Sequence, residues 1–262
     1  MDTVIKVEHI RKEFNADRKN VLEVLNDISF EVKENEFICI VGPSGCGKST
    51  LLRIISGLES LTEGRVLYRG EPLKEPRREI GVVFQNYSLM PWLTVKENIS
   101  LGLKFQRMDK HKIGKIVQEY LEMIGMESFA NAYPHELSGG MRQRVAIARS
   151  LANDPDVVLM DEPFGALDAY TRILLQKELL RIWNLRKKTI LFVTHGVDEA
   201  VSLADRILLM SRRNHNILNT YDVDMERPRD RTDPRYGKLT QTLLEALEQE
   251  QLQQHSISGE TR

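Results

Sequence analysis

The residues Gly42-Pro-Ser-Gly-Cys-Gly-Lys-Ser-Thr50 carry the spacing G-x-x-x-x-G-K-[ST]. That spacing suits the cradling of phosphate groups. Gly42, Gly45 and Gly47 let the backbone turn tightly, so successive N–H groups converge on phosphate oxygens. Lys48 is placed to reach the β- and γ-phosphates, and the Ser49 hydroxyl to ligate Mg²⁺. Pro43, Ser44, Cys46 and Thr50 complete the loop. The apolar run Phe37-Ile-Cys-Ile-Val41 stands before it and Leu51-Leu-Arg-Ile-Ile55 follows. This is the strand–loop–helix setting the motif needs, and the helix adds its positive N-terminal end.

A second constellation is Val157-Val-Leu-Met-Asp161-Glu162. Four apolar residues followed by two carboxylates place the acids at the C-terminal end of a strand, where ligands collect in open α/β sheets. Asp161 is a candidate Mg²⁺ ligand with Ser49, and Glu162 a candidate base for water attacking a γ-phosphate. Leu137-Ser138-Gly139-Gly140-Met141 opens a helix, with Ser138 as N-cap and two glycines leaving the first-turn N–H groups accessible. Taken alone it reads as a plain cap; the other reading is a lid for a phosphate held by another subunit. Gln85, His195 and Phe14 carry little signal singly.

The elements that must position these groups follow from apolar periodicity. Strands are expected over residues 4–10 and 21–32 with a loop between them, and over 37–41, 64–70, 80–84, 157–160, 189–193 and 207–210. Helices are expected after the phosphate loop to about residue 57, over 94–103, 109–125, 138–153 and 170–187. Residues 226–235 are charged and hold two prolines, so they read as loop. Leu239, Leu243, Leu244 and Leu247 make one amphipathic stripe. The last residues, 249–262, read as a polar, frayed end.

The 262 residues are 41% hydrophobic and 29% charged, which suits an α/β protein with a sizeable core. Lys and Arg number 37 against 38 Asp and Glu, so no electrostatic footprint for nucleic acid is expected. No apolar run approaches the roughly 18 residues of a membrane span, and the N-terminus lacks a secretory pattern. Two cysteines, Cys39 and Cys46, form no disulfide framework and suit a reducing cytosol.

The ordered set resembles the ATP-binding subunit of an ABC transporter over about residues 4–220. Residues 42–50 match Walker A, Gln85 the Q-loop, and Leu137 to Met141 the LSGGQ signature. Residues 157–162 match Walker B, Ala166-Leu-Asp168 the D-loop, and His195 the switch histidine. Met141 departs from the signature's Gln. That Met, the stretch Leu89-Met-Pro-Trp92-Leu-Thr-Val95 and the segment from Pro228 to Pro234 resemble nitrate, sulfonate and taurine importers.

The resemblance implies an α/β fold: a P-loop NTPase core with a mostly parallel sheet, an N-terminal antiparallel β subdomain and an inserted α-helical subdomain. Residues 1–235 would form the nucleotide-binding domain, with the helical insert at about 94–155. Residues 236–262 would add a short helix and a polar tail. It further implies ATP and Mg²⁺ as ligands, with catalytic roles for Glu162, His195 and Gln85. Metal contacts fall to Ser49, Gln85 and Asp161, nucleotide contacts to Phe14, Asp168 and the phosphate loop. Ser138, Gly139 and Gly140 would close on the γ-phosphate of a second, facing subunit. The partners implied are that second ATP-binding subunit, as a homodimer, transmembrane permease subunits and, indirectly, a solute-binding protein, at the cytoplasmic face of the membrane. An exporter's ATPase and a soluble ABC ATPase outside transport are the alternatives. A small-molecule kinase would have no use for the signature or D-loop.

Overall fold

The computed structural model describes residues 2–17, 20–165 and 167–258. Ala166, the first residue of the expected D-loop, lies outside them, as do residues 259–262 of the polar tail. The chain divides into two compact units, Met1–Pro76 with Thr189–Arg262, and Arg77–Lys188.

In the first unit, β1 (Thr3–Asp17) and β2 (Asn20–Lys33) form a long antiparallel hairpin. β1 also pairs with β4 (Glu63–Tyr68), which pairs with the two-residue β5 (Glu71–Pro72), giving a sheet of order β2-β1-β4-β5. The expected break between residues 10 and 21 is mostly strand instead. The charged residues there hid it: Lys12 is buried against Glu59, with Nζ 2.7 Å from Oε1, and Arg11 pairs across the hairpin with Glu23.

The same unit holds a second sheet. β3 (Phe37–Val41) lies parallel to β8 (Thr189–Thr194) and to β9 (Arg206–Met210), and β10 (Ile217–Asp222) pairs antiparallel with β9. All five residues of β3 are buried. Burying each large apolar side chain contributes about 1.5–3 kcal/mol. Helix α1 (Lys48–Ile55) follows the phosphate loop, and α6 (Val197–Leu203) follows His195. Helix α7 (Pro234–Ser258) has 25 residues, so the expected short helix with a frayed end is corrected: helix continues through residues 249–258. Its start docks on α6, the Tyr236 hydroxyl donating to Asp198 Oδ1 at 2.6 Å, and Leu243 is fully buried. Neither α6 nor β10 was expected.

The second unit pairs β6 (Ile80–Val83) parallel with β7 (Val157–Asp161). Between them run α2 (Val95–Phe105), α3 (Lys110–Met123), two short 3₁₀ turns and α4 (Gly139–Leu151), the inserted helical part. Helix α5 (Ala169–Arg186) ends the unit. Each helix of the insert starts where its cap predicts. Thr94 and Glu97 form a reciprocal capping box, Asp109 accepts from His111 and Lys112 N–H, and Ser138 from Met141 N–H. Among the described residues no helix is long and apolar enough to cross a membrane.

Candidate functional site

The phosphate loop in the first unit is held by close packing. Gly45 and Gly47 have φ of 80° and 99°, in the region glycine tolerates best. A Cβ at Gly47 would also lie 2.6 Å from the Val24 carbonyl oxygen and from Leu25 Cδ2. Lys48 is 5% exposed and its Nζ donates to Gly42 O at 2.8 Å and Pro43 O at 3.0 Å. The ammonium thus arches over the loop whose N–H groups would meet phosphate. Helix α1 begins at Gly47 with no side-chain cap and no acid in its first turn. All four α-helices of the second unit are side-chain capped. A helix start without a competing carboxylate fits a polyphosphate.

Cys46 is fully buried in that loop, and burial pushes its thiol pKa up, so it behaves as a packed small residue. His195 is exposed just after β8. The turn that carries it is fixed by buried Thr194, whose hydroxyl oxygen accepts from Gly196 N–H at 2.9 Å and donates to Glu199. Phe14 is exposed on β1, and the Lys12 ammonium lies 4.5 Å from its ring centroid.

In the second unit β7 delivers buried Asp161 and then Glu162, whose φ of 44° is left-handed. That bend turns Glu162 out of the strand's alternation. Its Oε2 accepts from Gln85 Nε2 at 3.4 Å, so the fold brings together two of the three expected catalytic side chains. Ser138 caps α4, its Oγ accepting from Met141 N–H at 3.3 Å. The cap reading is therefore met, and the anion reading shares the same helix start. The glycines have a steric reason too: a Cβ on Gly140 would lie 2.9 Å from Thr171 Cγ2, and one on Gly139 3.3 Å from Leu167 Cδ2. Asp168 caps α5, and the Thr171 N–H it accepts holds its carboxyl below the usual value.

Two residues that sequence reasoning passed over hold the segment after Gln85. Tyr87 and Ser88 have φ of 56° and 48°. Arg149 of α4 donates to both their carbonyls, at 3.1 Å and 2.6 Å. Asn98 of α2 is fully buried; its Nδ2 donates to Met90 O, Leu93 O and Thr94 O, and its Oδ1 accepts from Met90 N–H at 2.9 Å. An Asn beside the apolar positions Val95, Ile99 and Leu103 of the buried face was the available signal. The result is an ordered loop with Trp92 70% exposed.

For Mg²⁺, the donor chemistry fits. Among the described residues no cluster of three His, Cys, Asp or Glu forms a protein-only cage. Mg²⁺ on a nucleotide needs little more than a hydroxyl and a carboxylate beside the phosphates, the types Ser49 and Asp161 supply.

The family model described as ABC transporter matches residues 25–165. An ABC transporter ATP-binding protein of Methanocaldococcus jannaschii is 51% identical, over 96% of this chain and 94% of that one. The chain belongs to the ABC transporter family. The cassette is also similar to the aliphatic sulfonates import ATP-binding protein of Bacillus cereus, at 43% identity over 97% of this chain and 99% of its length. The nitrate import ATP-binding protein of Synechococcus elongatus is 44% identical over 85% and 84%. Among solved structures, a dimeric bacterial ABC transporter cassette superposes with a TM-score of 0.76 at 35% identity, over 85% of this chain and all of that one. A dimeric post-hydrolysis state bound to ADP and Pi follows at 0.75 and 34%. This cassette is an ATPase with a P-loop NTPase fold.

Proposed function

We propose that this ATPase energises a membrane importer of small anions of the nitrate, sulfonate or taurine type. The observation that carries the reading lies in the second unit. A groove of about 490 Å³ is lined by Phe84, Ser88, Met90, Leu101, Phe105 and Arg149. Phe105 is 79% exposed at its rim, and Trp92 70% exposed on the loop after Gln85. Aromatic side chains left in water around a concave surface suit a partner's helix. Arg149 and Asn98 are hydrogen-bonded to the backbone of that loop, so a push on it is passed to Gln85. The import roles of the sulfonate and nitrate relatives support the same reading.

In this proposal Lys48 and the loop amides pair the β- and γ-phosphate charge of ATP. Phe14 stacks on the base. Glu162 takes the proton of the attacking water while the bond from the γ-phosphorus to the ADP oxygen breaks. Gln85 orients Glu162, and His195 contacts the γ-phosphate. Ser49, Asp161 and Gln85 would hold Mg²⁺, which supplies neutralisation of the charge developing on the phosphates. Two copies face each other so that Ser138, Gly139 and Gly140 of one close on the γ-phosphate of the other, with Asp168 alongside. ATP then joins the copies and hydrolysis releases them. Permease subunits dock in the groove and a solute-binding protein delivers the anion, at the cytoplasmic face of the membrane.

The test is co-purification with the permease encoded beside it, followed by ATP-driven uptake of nitrate, taurine and alkanesulfonates into proteoliposomes. Uptake of one of these anions is expected. Trp92→Ala with Phe105→Ala should lower uptake while ATP hydrolysis by the isolated cassette persists. Export, or a permease that binds the double variant as tightly as the wild type, refutes the reading.

A further inference from the structure

Helix α7 is polar over most of its length, yet it buries one acid. Glu250 is 5% exposed. Its Oε2 accepts the hydroxyl proton of Ser211 at 2.8 Å, and Ser211 is fully buried at the end of β9. The same hydroxyl oxygen accepts from Arg213 N–H and Asn214 N–H, both at 3.1 Å. Three hydrogen bonds therefore meet at Ser211 Oγ and shape the turn between β9 and β10.

That turn borders the phosphate loop. A Cβ on Gly42 would lie 2.7 Å from Met210 O, and one on Gly45 would lie 3.7 Å from Arg212 Nε and 3.9 Å from its Cζ. The turn is also tied to β2, Asn26 N–H donating to His215 O at 2.8 Å. The residues just before Asn26, Val24 and Leu25, are the ones that crowd Gly47. So the turn and β2 pack on the loop and are bonded to each other. Burying a carboxylate is unfavourable unless its hydrogen bonds are needed. A helix required only for packing would bury apolar residues, as α7 does with Leu243.

We propose that Glu250 is a positioning residue for ATP binding. Through Ser211 it fixes the turn that supports the phosphate loop, and it places the Arg212 guanidinium beside Gly45 as a second cation near the phosphates. The C-terminal helix thus tunes nucleotide affinity, not the rate of bond breaking. The inference rests on residues 42–50 being the nucleotide site.

The experiment measures ATP affinity, KM and kcat on the full chain. Glu250→Ala should weaken ATP binding and raise KM by about 3- to 10-fold, the size of one positioned hydrogen bond, with kcat within about twofold. Ser211→Ala should do the same without disturbing α7, and the double variant should be no worse than either single one. Glu250→Gln, whose amide oxygen still accepts the hydroxyl, should restore binding. Arg212→Ala should weaken ATP binding and flatten its salt dependence. Glu248→Ala, on the exposed face of α7, should change nothing. Overturning results are Glu250→Ala and Ser211→Ala proteins that bind ATP like the wild type, or Glu250→Gln binding as weakly as Glu250→Ala. Lys48→Ala in the same assay separates the two levels: if it binds ATP normally, the nucleotide site itself is misplaced.

Discussion

Glu162 occupies a backbone conformation, φ of 44°, that an L residue adopts only against strain of about 1–3 kcal/mol. The bend gives two successive carboxylates different surroundings, Asp161 buried at the strand end and Glu162 reaching Gln85. Glu162→Gln keeps the shape and removes the proposed base, so ATP turnover should fall about 10²–10⁴-fold in a phosphate-release assay. Glu162→Gly removes the proposed base and the strain together. It should be as inactive, yet melt higher by the equivalent of ~1 kcal/mol. A glycine variant that melts lower would show that no strain resides there. The acids were legible in the sequence because an apolar run ending in Asp-Glu sets two charges at the mouth of a buried strand, a cost that a strand serving only the core would avoid. Their different backbone conformations were not, since φ has no residue-type signal at Glu.

At the scale of elements, the helical part of the second unit was read from apolar spacing and, at Ser138, from a cap. Thr94, Asp109 and Ser138 each mark a helix start to the residue. The Glu97 carboxyl is held below its usual value, chiefly by the Thr94 backbone N–H and then by its hydroxyl. A depressed carboxyl stabilises the fold fully above its unfolded value near 4.5 and loses that contribution as pH falls through the folded value. The stability difference between wild type and Glu97→Gln should therefore be constant above about pH 5 and shrink below pH 4.5 in urea melts. A difference that grows on acidification would reverse the assignment. Gly140 tests packing in the same element. Gly140→Ala should cost about 1–3 kcal/mol through contact with Thr171 Cγ2, and adding Thr171→Ser should recover most of it. Elements read poorly were those whose stability is tertiary. The β1–β2 hairpin runs through charged residues paired with one another. Helix α6 has only seven residues after His195. In α7 the polar stretch beyond residue 249 concealed a buried Glu250.

For the molecule as a whole, the motifs are shared between two units. The first carries the phosphate loop, Phe14 and His195; the second carries Gln85, Ser138, Asp161, Glu162 and Asp168. Each unit was recoverable from sequence at the level of its motifs, because phosphate chemistry constrains residue type and spacing. The residues that hold those motifs still, Asn98, Arg149 and Ser211, act through backbone carbonyls and turns distant in sequence, which leave no local pattern. The first turn of α1 has one further consequence. Every other long helix among the described residues, α7 apart, brings its own side chain to its start, whereas this one leaves the stopper to be supplied from outside. The chain by itself is then an unfinished object, and its melting temperature should track adenine nucleotide in the tube. Saturation at about a hundred times the dissociation constant would add about 2.7 kcal/mol, with ADP and ATP both effective and adenosine nearly inert.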